Sequence, residues 1–395
     1  MPSYYWNVKI FDDMATKDLF SKFRLGYIFL WLFAVSCQFE VTDNKHVIIN
    51  TLMRHAQMIK AEQVEYGILL EIRSPYTNEV SHYLLQDSIT QVPDDFTKFQ
   101  KIKTPLKGLI ALSSTQWTPL LKIGKEHLIL GISESGFVYD SVMKELLAKG
   151  SVLDVMKNGI LDFEKTISLQ PELILYSPGL EVSIDQLKRT GLPLFMWPDY
   201  LENSPLGRAE WLRVIGWLTG EEAVTEAWFD HIENEYFKLK SLISDTMPKA
   251  TIMSDKAFNE QWYVPGGKSY LATIFKDAGA DYIWKGNNIT GSVALDLETI
   301  ISQASEADFW FVTHFTDAPY SYEDLKNENE IYAGFKAFRN RKIIFCNTFR
   351  TAYFETSQFQ PHVVLADFIA ILHPHLLPEH KPVYHQLLKE EIHDE

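Results

Sequence analysis

Cysteine is nearly absent from this 395-residue chain, which holds only Cys37 and Cys346. At most one disulfide is possible, so no framework of cross-links can carry the fold. The two contexts also differ. Cys346 lies in KIIFCN, which reads as a buried strand where a free thiol serves as a small hydrophobe. Basic charge is short as well: 37 Lys and Arg against 52 Asp and Glu leave a net charge of −15. No basic stripe is visible, which argues against nucleic acid as a partner. The acidity names no partner by itself, because many soluble proteins carry such charge. Beyond residue 36 there is no apolar run of the about 20 residues needed to cross a bilayer.

The strongest apolar run stands near the start. LGYIFLWLFAVS (25–36) follows Lys17, Lys22 and Arg24. At about twelve residues it is too short to span a bilayer, and it fits the core of a secretory signal. The junction Ala34-Val35-Ser36-Cys37 resembles a bacterial lipobox, in which the cysteine becomes lipid-modified and N-terminal. Ala34 stands where leucine is usual. The expectation is a signal peptide over 1–37, a lipid anchor on Cys37 and a body outside the cytoplasm, in the periplasm or cell envelope. Asp12 and Asp13 spoil a basic region starting at Met1, so Met14 competes as the start.

The body has ordinary globular composition, with 46% apolar and 23% charged residues. Residues 38–105 are weakly patterned. YGILLEI (66–72) and HYLLQD (82–87), separated by SPYTNE, predict a β-hairpin in an N-terminal extension. Residues 106–204 alternate strands and helices, with strands at GLIALSS (108–114), HLILGIS (127–133), LILYS (173–177) and LPLFMW (192–197). Residues 205–248 are helical. Val224, Trp228, Ile232, Tyr236, Leu239 and Ile243 make one apolar face, punctuated by Gly220 and Pro248. Alternation resumes over 249–375, with strands at ATIMS (250–254), FWFVT (309–313) and KIIFCN (342–347) and a helix at HVVLADFIAILH (362–373). Residues 376–395 form a tail. The fold class is therefore α/β: two Rossmann-like lobes with mostly parallel sheets covered on both faces, joined by a single long helix, with a ligand cleft between them.

One unit occurs twice. LDFEKTISLQPELILYSPG (161–179) is echoed by LDLETIISQASEADFWFVT (295–313). Without gaps, Leu161, Asp162, Glu164, Ile167, Ser168 and Glu172 meet Leu295, Asp296, Glu298, Ile301, Ser302 and Glu306. The offset is too long for a solenoid repeat and reads as duplication of a lobe.

Two α/β lobes, one linking helix, a lipobox and a paired acidic unit resemble the substrate-binding proteins of ABC importers. The nearest class takes up ferric siderophores, haem and vitamin B12, and the similarity covers residues 108–375. Besides the first acidic unit, YVPGGKSYLATIFKDAGADYIW and VVLADFIAILHP carry it. The resemblance implies a binding protein and no enzyme. It implies no resident cofactor; the cargo would be an iron chelate, haem or a corrinoid. It also implies docking onto an ABC permease dimer through one glutamate per lobe, which by position are Glu164 and Glu298. Charge-assisted pairing with arginines suits that role, and a helix-dipole role for the same carboxylates is compatible with it.

Open parallel sheets bind ligands at the carboxyl ends of their strands. Those ends are crowded with aromatics, Phe137 and Phe349 among them. The expected ligand contacts are Thr115, Trp117, Tyr139, Tyr176, Trp262, Tyr263, His314, Arg350 and Tyr353. Flat apolar walls with few polar anchors suit a large planar or aromatic ligand. Arg350 would serve an anionic group, and His314 is placed to touch haem iron or a metal. Other motifs fail. VPGGKS (264–269) has Trp262 where a phosphate loop needs glycine. GISESG (131–136) has its last glycine one place late for a nucleophile elbow. The twelve histidines show no zinc-ligand spacing. Two alternatives stand beside the main reading: a free transition-metal binder of the same architecture, and an extracytoplasmic hydrolase, for which no nucleophile, base and orienting acid are recognisable.

Overall fold

The computed structural model describes residues 50–389 apart from 75, 77–78, 87–95, 158, 180–183 and 259–260. The signal segment and Cys37 lie outside the described residues.

The first element is a sheet of five strands: β1 (Asn50–Thr51), β2 (Ile59–Val64), β3 (Gly67–Arg73), β4 (Val80–Gln86) and β5 (Gln100–Lys103). The hairpin read from the sequence is its centre, β3 and β4, paired from Ile68↔Leu85 to Arg73↔Val80. The sheet is larger than that reading because β2 and β5 are short and half-polar. Alternation along the strands sends Leu70, Ile72, Tyr83 and Leu85 into the core of the following lobe, while Leu69 and Leu84 meet Phe96 and Phe99 on the other face. The extension is thus packed onto the first lobe: the Tyr83 ring lies 4.5 Å from that of Phe195, and its hydroxyl accepts the Met196 N–H at 3.0 Å.

The first lobe follows with β6 (Leu109–Ala111), α1 (Ser114–Lys122), β7 (Ile129–Ile132), α2 (Ser141–Ala148) and β8 (Leu153–Asp154). A short antiparallel pair, β9 (Met156–Lys157) and β10 (Ile160–Leu161), leads to α3 (Phe163–Ser168), β11 (Leu173–Tyr176), α4 (Ile184–Arg189) and β12 (Leu194–Met196). The sheet runs β12-β11-β6-β7-β8 and every pairing is parallel. Its central strands are buried on both faces, which explains their unbroken apolar runs.

Three helices come next: α5 (Pro205–Glu210), α6 (Leu212–Thr219) and the long α7 (Glu222–Lys240). Gly220, at φ 74°, ends α6 in the left-handed conformation and turns the chain into α7. The buried stripe of α7 is Thr225, Phe229, Ile232 and Tyr236, and the helix packs on α5, α6 and α13 (Pro361–Leu372). The face read from the sequence is shifted: Val224 is exposed and Ile243 lies past the helix end. Tertiary packing selected the stripe containing Phe229.

The second lobe contains β13 (Thr251–Ser254), β14 (Ala257–Phe258), β15 (Gln261–Pro265), α8 (Tyr270–Asp277), β16 (Asp281–Tyr282) and β17 (Ser292–Leu295). Then come α9 (Leu297–Ala304), β18 (Phe309–His314), α10 (Tyr322–Glu328), α11 (Lys336–Arg339), β19 (Ile343–Asn347) and α12 (Tyr353–Thr356). Helix α13 and β20 (Gln386–Leu387) close the chain. The main sheet, β16-β13-β18-β19-β20, is parallel except at its last pair. Strands β14, β15 and β17 form a separate antiparallel sheet.

Residues 54–58, between β1 and β2, are sutured to the helices. Glu210 accepts the backbone N–H groups of Arg54, His55 and Ala56 at 2.7–2.8 Å. Glu202 accepts those of Gln57 and Met58, and the Trp211 indole N–H at 2.9 Å. Both carboxylates are fully buried, and these donors satisfy them. Burial nevertheless pushes the Glu202 carboxyl up to about 7. Arg54 adds ion pairs with Glu226, Asp230 and Glu233 of α7.

Candidate functional site

The carboxyl ends of the two parallel sheets meet directly. Tyr139 donates its backbone N–H to Glu355 Oε1 at 2.5 Å, and Asp140 donates to Oε2 at 3.0 Å. The Tyr139 hydroxyl donates to the Arg350 carbonyl at 3.0 Å. Ser114 Oγ donates to the Phe354 carbonyl, and Gln358 Nε2 to that of Thr115, at 2.9 and 3.1 Å. Phe137 stands edge-on to Phe315 across the junction at 5.7 Å, and Phe315 stands edge-on to Phe349 at 5.2 Å. These loops carry the site because they follow the carboxyl ends of β6 and β7, at Ala111 and Ile132, and of β18 and β19, at His314 and Asn347.

The junction is aromatic at its mouth. Phe137, Tyr139, Phe315, Phe349 and Phe354 are between 43% and 55% exposed, which is unusual for neighbouring large apolar side chains. Deeper in, Arg208 is nearly buried, 3.4 Å from Asp199 and 4.5 Å over the Tyr270 ring. Arg208, Tyr270, Tyr353 and Gln358 share the wall of a small cavity between α5 and the second lobe. Burial pushes the Asp199 carboxyl up, opposed by Arg208 and by a hydrogen bond from Thr115. Asp255, at φ 64° after β13, is pushed up to about 7 by burial.

A second polar group sits at the end of β18. Lys256 Nζ donates to His314 Nδ1 at 3.1 Å and to Glu328 Oε1 at 2.6 Å. The Tyr320 hydroxyl donates to Glu328 Oε1 at 2.7 Å, and its ring lies 4.4 Å from that of His314. Burial first, then the Lys256 charge, hold His314 down at about 4. Because Nδ1 accepts from an ammonium, the proton of this neutral ring stands on Nε2. A metal at this ring would have to displace the Lys256 contact. Among the described residues no three His, Cys, Asp or Glu side chains come together as a metal site.

The expected contact residues divide. Tyr139 and Arg350 are exposed at the junction, with Arg350 Nη2 donating to the Asp317 carbonyl at 2.6 Å. Thr115 and Tyr353 are buried at its floor, while Tyr176 is buried in the core of the first lobe beside Tyr83; burial raises both tyrosine hydroxyls. Tyr263 is half-buried on β15. Two expectations are corrected. Trp117 is buried within the core of the first lobe. Trp262 is 1% exposed, packs against Trp310, Tyr332 and Phe335, and donates its indole N–H to the Ser254 carbonyl at 2.9 Å. Neither indole walls the cleft. Sequence reasoning missed Arg208, hidden in a stretch read only as linking helix, and Glu355, whose partners lie more than two hundred residues away.

Glu164 and Glu298 occupy equivalent places, each the second residue of its helix, α3 or α9, behind an aspartate N-cap. Asp162 accepts from the Lys165 N–H at 3.1 Å and Asp296 from that of Thr299 at 2.7 Å. Both glutamates are exposed. With the aspartates capping, neither cap depends on the glutamate. Cys346 is a buried free thiol, pushed up to about 12 by burial. No described helix is long and apolar enough to cross a membrane.

Residues 109–348 match the family described as periplasmic binding protein. An uncharacterized lipoprotein of Methanocaldococcus jannaschii is 30% identical over 287 residues, which is 70% of this chain and 67% of that protein. A periplasmic heme-binding protein from Roseiflexus, solved in its apo form, superposes with a TM-score of 0.54 at 16% identity, over 69% of this chain and 99% of that one. An ABC-type Fe3+-hydroxamate transport system structure from Saccharomonospora viridis gives 0.53 at 14% identity, over 68% and 94%. At such identities the structural likeness speaks to fold.

Proposed function

We propose, from the premise that this chain belongs to the periplasmic binding protein family, that it captures an iron chelate, haem or cobalamin outside the cytoplasm and delivers it to an ABC permease. The family consists of substrate-binding proteins and not of enzymes. The observation that carries the ligand class is the ring of exposed aromatics at the lobe junction: Phe137, Tyr139, Phe315, Phe349 and Phe354. A large ligand with flat or apolar faces would part the Phe137–Phe315 contact and cover these rings. The names of the relatives, one for heme and one for an Fe3+-hydroxamate, point the same way.

Within this reading Cys37 bears a lipid that holds the body at the membrane, as the lipoprotein relative's name supports. Glu164 and Glu298 dock on arginines of the two permease subunits, one carboxylate per lobe. Arg350 and the deeper Arg208 supply positive charge at the cleft for an anionic chelate. The test is titration of the mature protein with haem, cyanocobalamin and the ferric complex of a linear trihydroxamate, followed by intrinsic fluorescence and by calorimetry. Saturable one-to-one binding of one of the three is the expected result. Binding of none would remove the proposal.

A further inference from the structure

The five-stranded sheet precedes residue 109, where the family match begins. Its central hairpin places one side chain at the cleft end of the first lobe. Tyr76, in the β3–β4 turn, is 50% exposed. Its hydroxyl lies 2.8 Å from that of Tyr200, which donates to the Pro178 carbonyl. The ring also covers Gly179. A Cβ there would stand 2.6 Å from the Tyr76 Cζ, and the residue holds φ 76°, so glycine is required twice over.

Pro178 and Tyr200 lie on loops after β11 and β12, at the same end of the parallel sheet as the loops that touch the second lobe. The neighbours of Tyr200 confirm the direction. Asp199 meets Thr115 and Arg208 at the cleft floor. Leu201 lies 3.6 Å from where a Cβ on Gly291 of the second lobe would stand. The Asn203 carbonyl accepts from Thr273 Oγ1 at 2.8 Å. Tyr76 therefore stands at the rim of the cleft, half-exposed and tied to the first lobe through Tyr200.

The proton order is set by chemistry. A carbonyl can only accept, so the Tyr200 proton is committed to Pro178. Tyr76 must then donate to Tyr200, which leaves its oxygen with lone pairs only. It can recognise a hydrogen-bond donor and not an acceptor.

Resting on the reading above, we propose that the N-terminal sheet forms part of the binding site, and that Tyr76 accepts a hydrogen bond from an amide N–H or hydroxyl at the edge of the cargo. Chelates and corrinoids with amide side groups offer such donors. Haem, whose polar edge is carboxylate, does not.

The experiment compares wild type, Tyr76→Phe and Tyr76→Ala by calorimetric titration with a ferric linear trihydroxamate bearing amide links, with cyanocobalamin and with haem. Melting curves should coincide, because a half-exposed turn side chain adds little to the core. Tyr76→Phe should weaken binding of the amide-bearing probe about threefold to tenfold, the scale of one lost hydrogen bond. Tyr76→Ala should weaken it further. Equal affinities within twofold for wild type and Tyr76→Phe would overturn the inference while leaving the general function standing. Binding of haem alone would do the same. Failure of all three probes on wild type would overturn both.

Discussion

Glu355 of the second lobe takes the backbone N–H of Tyr139 of the first at 2.5 Å, and its other oxygen takes that of Asp140. One carboxylate thereby holds the start of α2 against α12. Burial raises the Glu355 carboxyl above its ordinary range, and the two amides pull it partly back. The lobes are latched by main-chain recognition, which tolerates changes in the side chains at 139 and 140.

Glu355→Ala should loosen that latch. Two amide donors would lose their partner, at about 1–3 kcal/mol for groups that stay buried. Small-angle scattering of the ligand-free variant should give a larger radius of gyration than wild type, with faster amide exchange at 139 and 140. Identical scattering and exchange would remove Glu355 from this role. In wild type, by contrast, ligand should change the radius little, because α7 packs continuously on its neighbours.

Trp262→Ala should act on stability. The indole is buried among three aromatic rings, so truncation should cost about 3–5 kcal/mol of folding free energy. Denaturant unfolding checks this. A stable variant with weakened ligand binding would instead return Trp262 to the cleft.

The acidic pair should matter in cells alone. Glu164→Ala combined with Glu298→Ala removes one exposed carboxylate per lobe. Uptake of the bound cargo should fall sharply, while melting temperature and solution affinity stay as in wild type. Parallel loss of affinity and uptake would point to a folding role.

His314 should remain neutral at pH 5, with a ring titration near 4. Its neighbours are the Lys256 ammonium, the Glu328 carboxylate, the Tyr320 hydroxyl and, further off, Asp324. The folded value lies below the ordinary 6.5, so the unfolded chain takes up the proton first. The His314 contribution to stability is therefore complete above about 6.5 and lost as pH falls from there toward 4. NMR titration of the ring nitrogens reads it directly, and Lys256→Met should raise the value. A wild-type midpoint above 6 would contradict the arrangement.

Particular residues show how far local pattern reaches. Asp162 and Asp296 cap their helices as their position before an amphipathic run requires, and Glu164 and Glu298 follow at the surface. Strands buried on both faces announce themselves as apolar runs because each residue meets a helix on one side or the other. The same logic misplaced two tryptophans. Trp117 lies inside α1 among buried neighbours, and Trp262 alternates on β15 with exposed Gln261; side-chain type cannot say which face is roofed by another element.

What the sequence determined by itself is therefore local and periodic: alternating strands and helices, a duplicated acidic unit, and the apolar face of α7 to within one residue. The tertiary structure alone decided which strand-end groups meet. Glu355 and Tyr139 are 216 positions apart, as Tyr76 and Tyr200 are 124 apart. Neither pair shares a periodicity or a local motif. Their contact depends on how two sheets and an added hairpin pack, and packing is a sum over many weak contacts that no short stretch of chain contains.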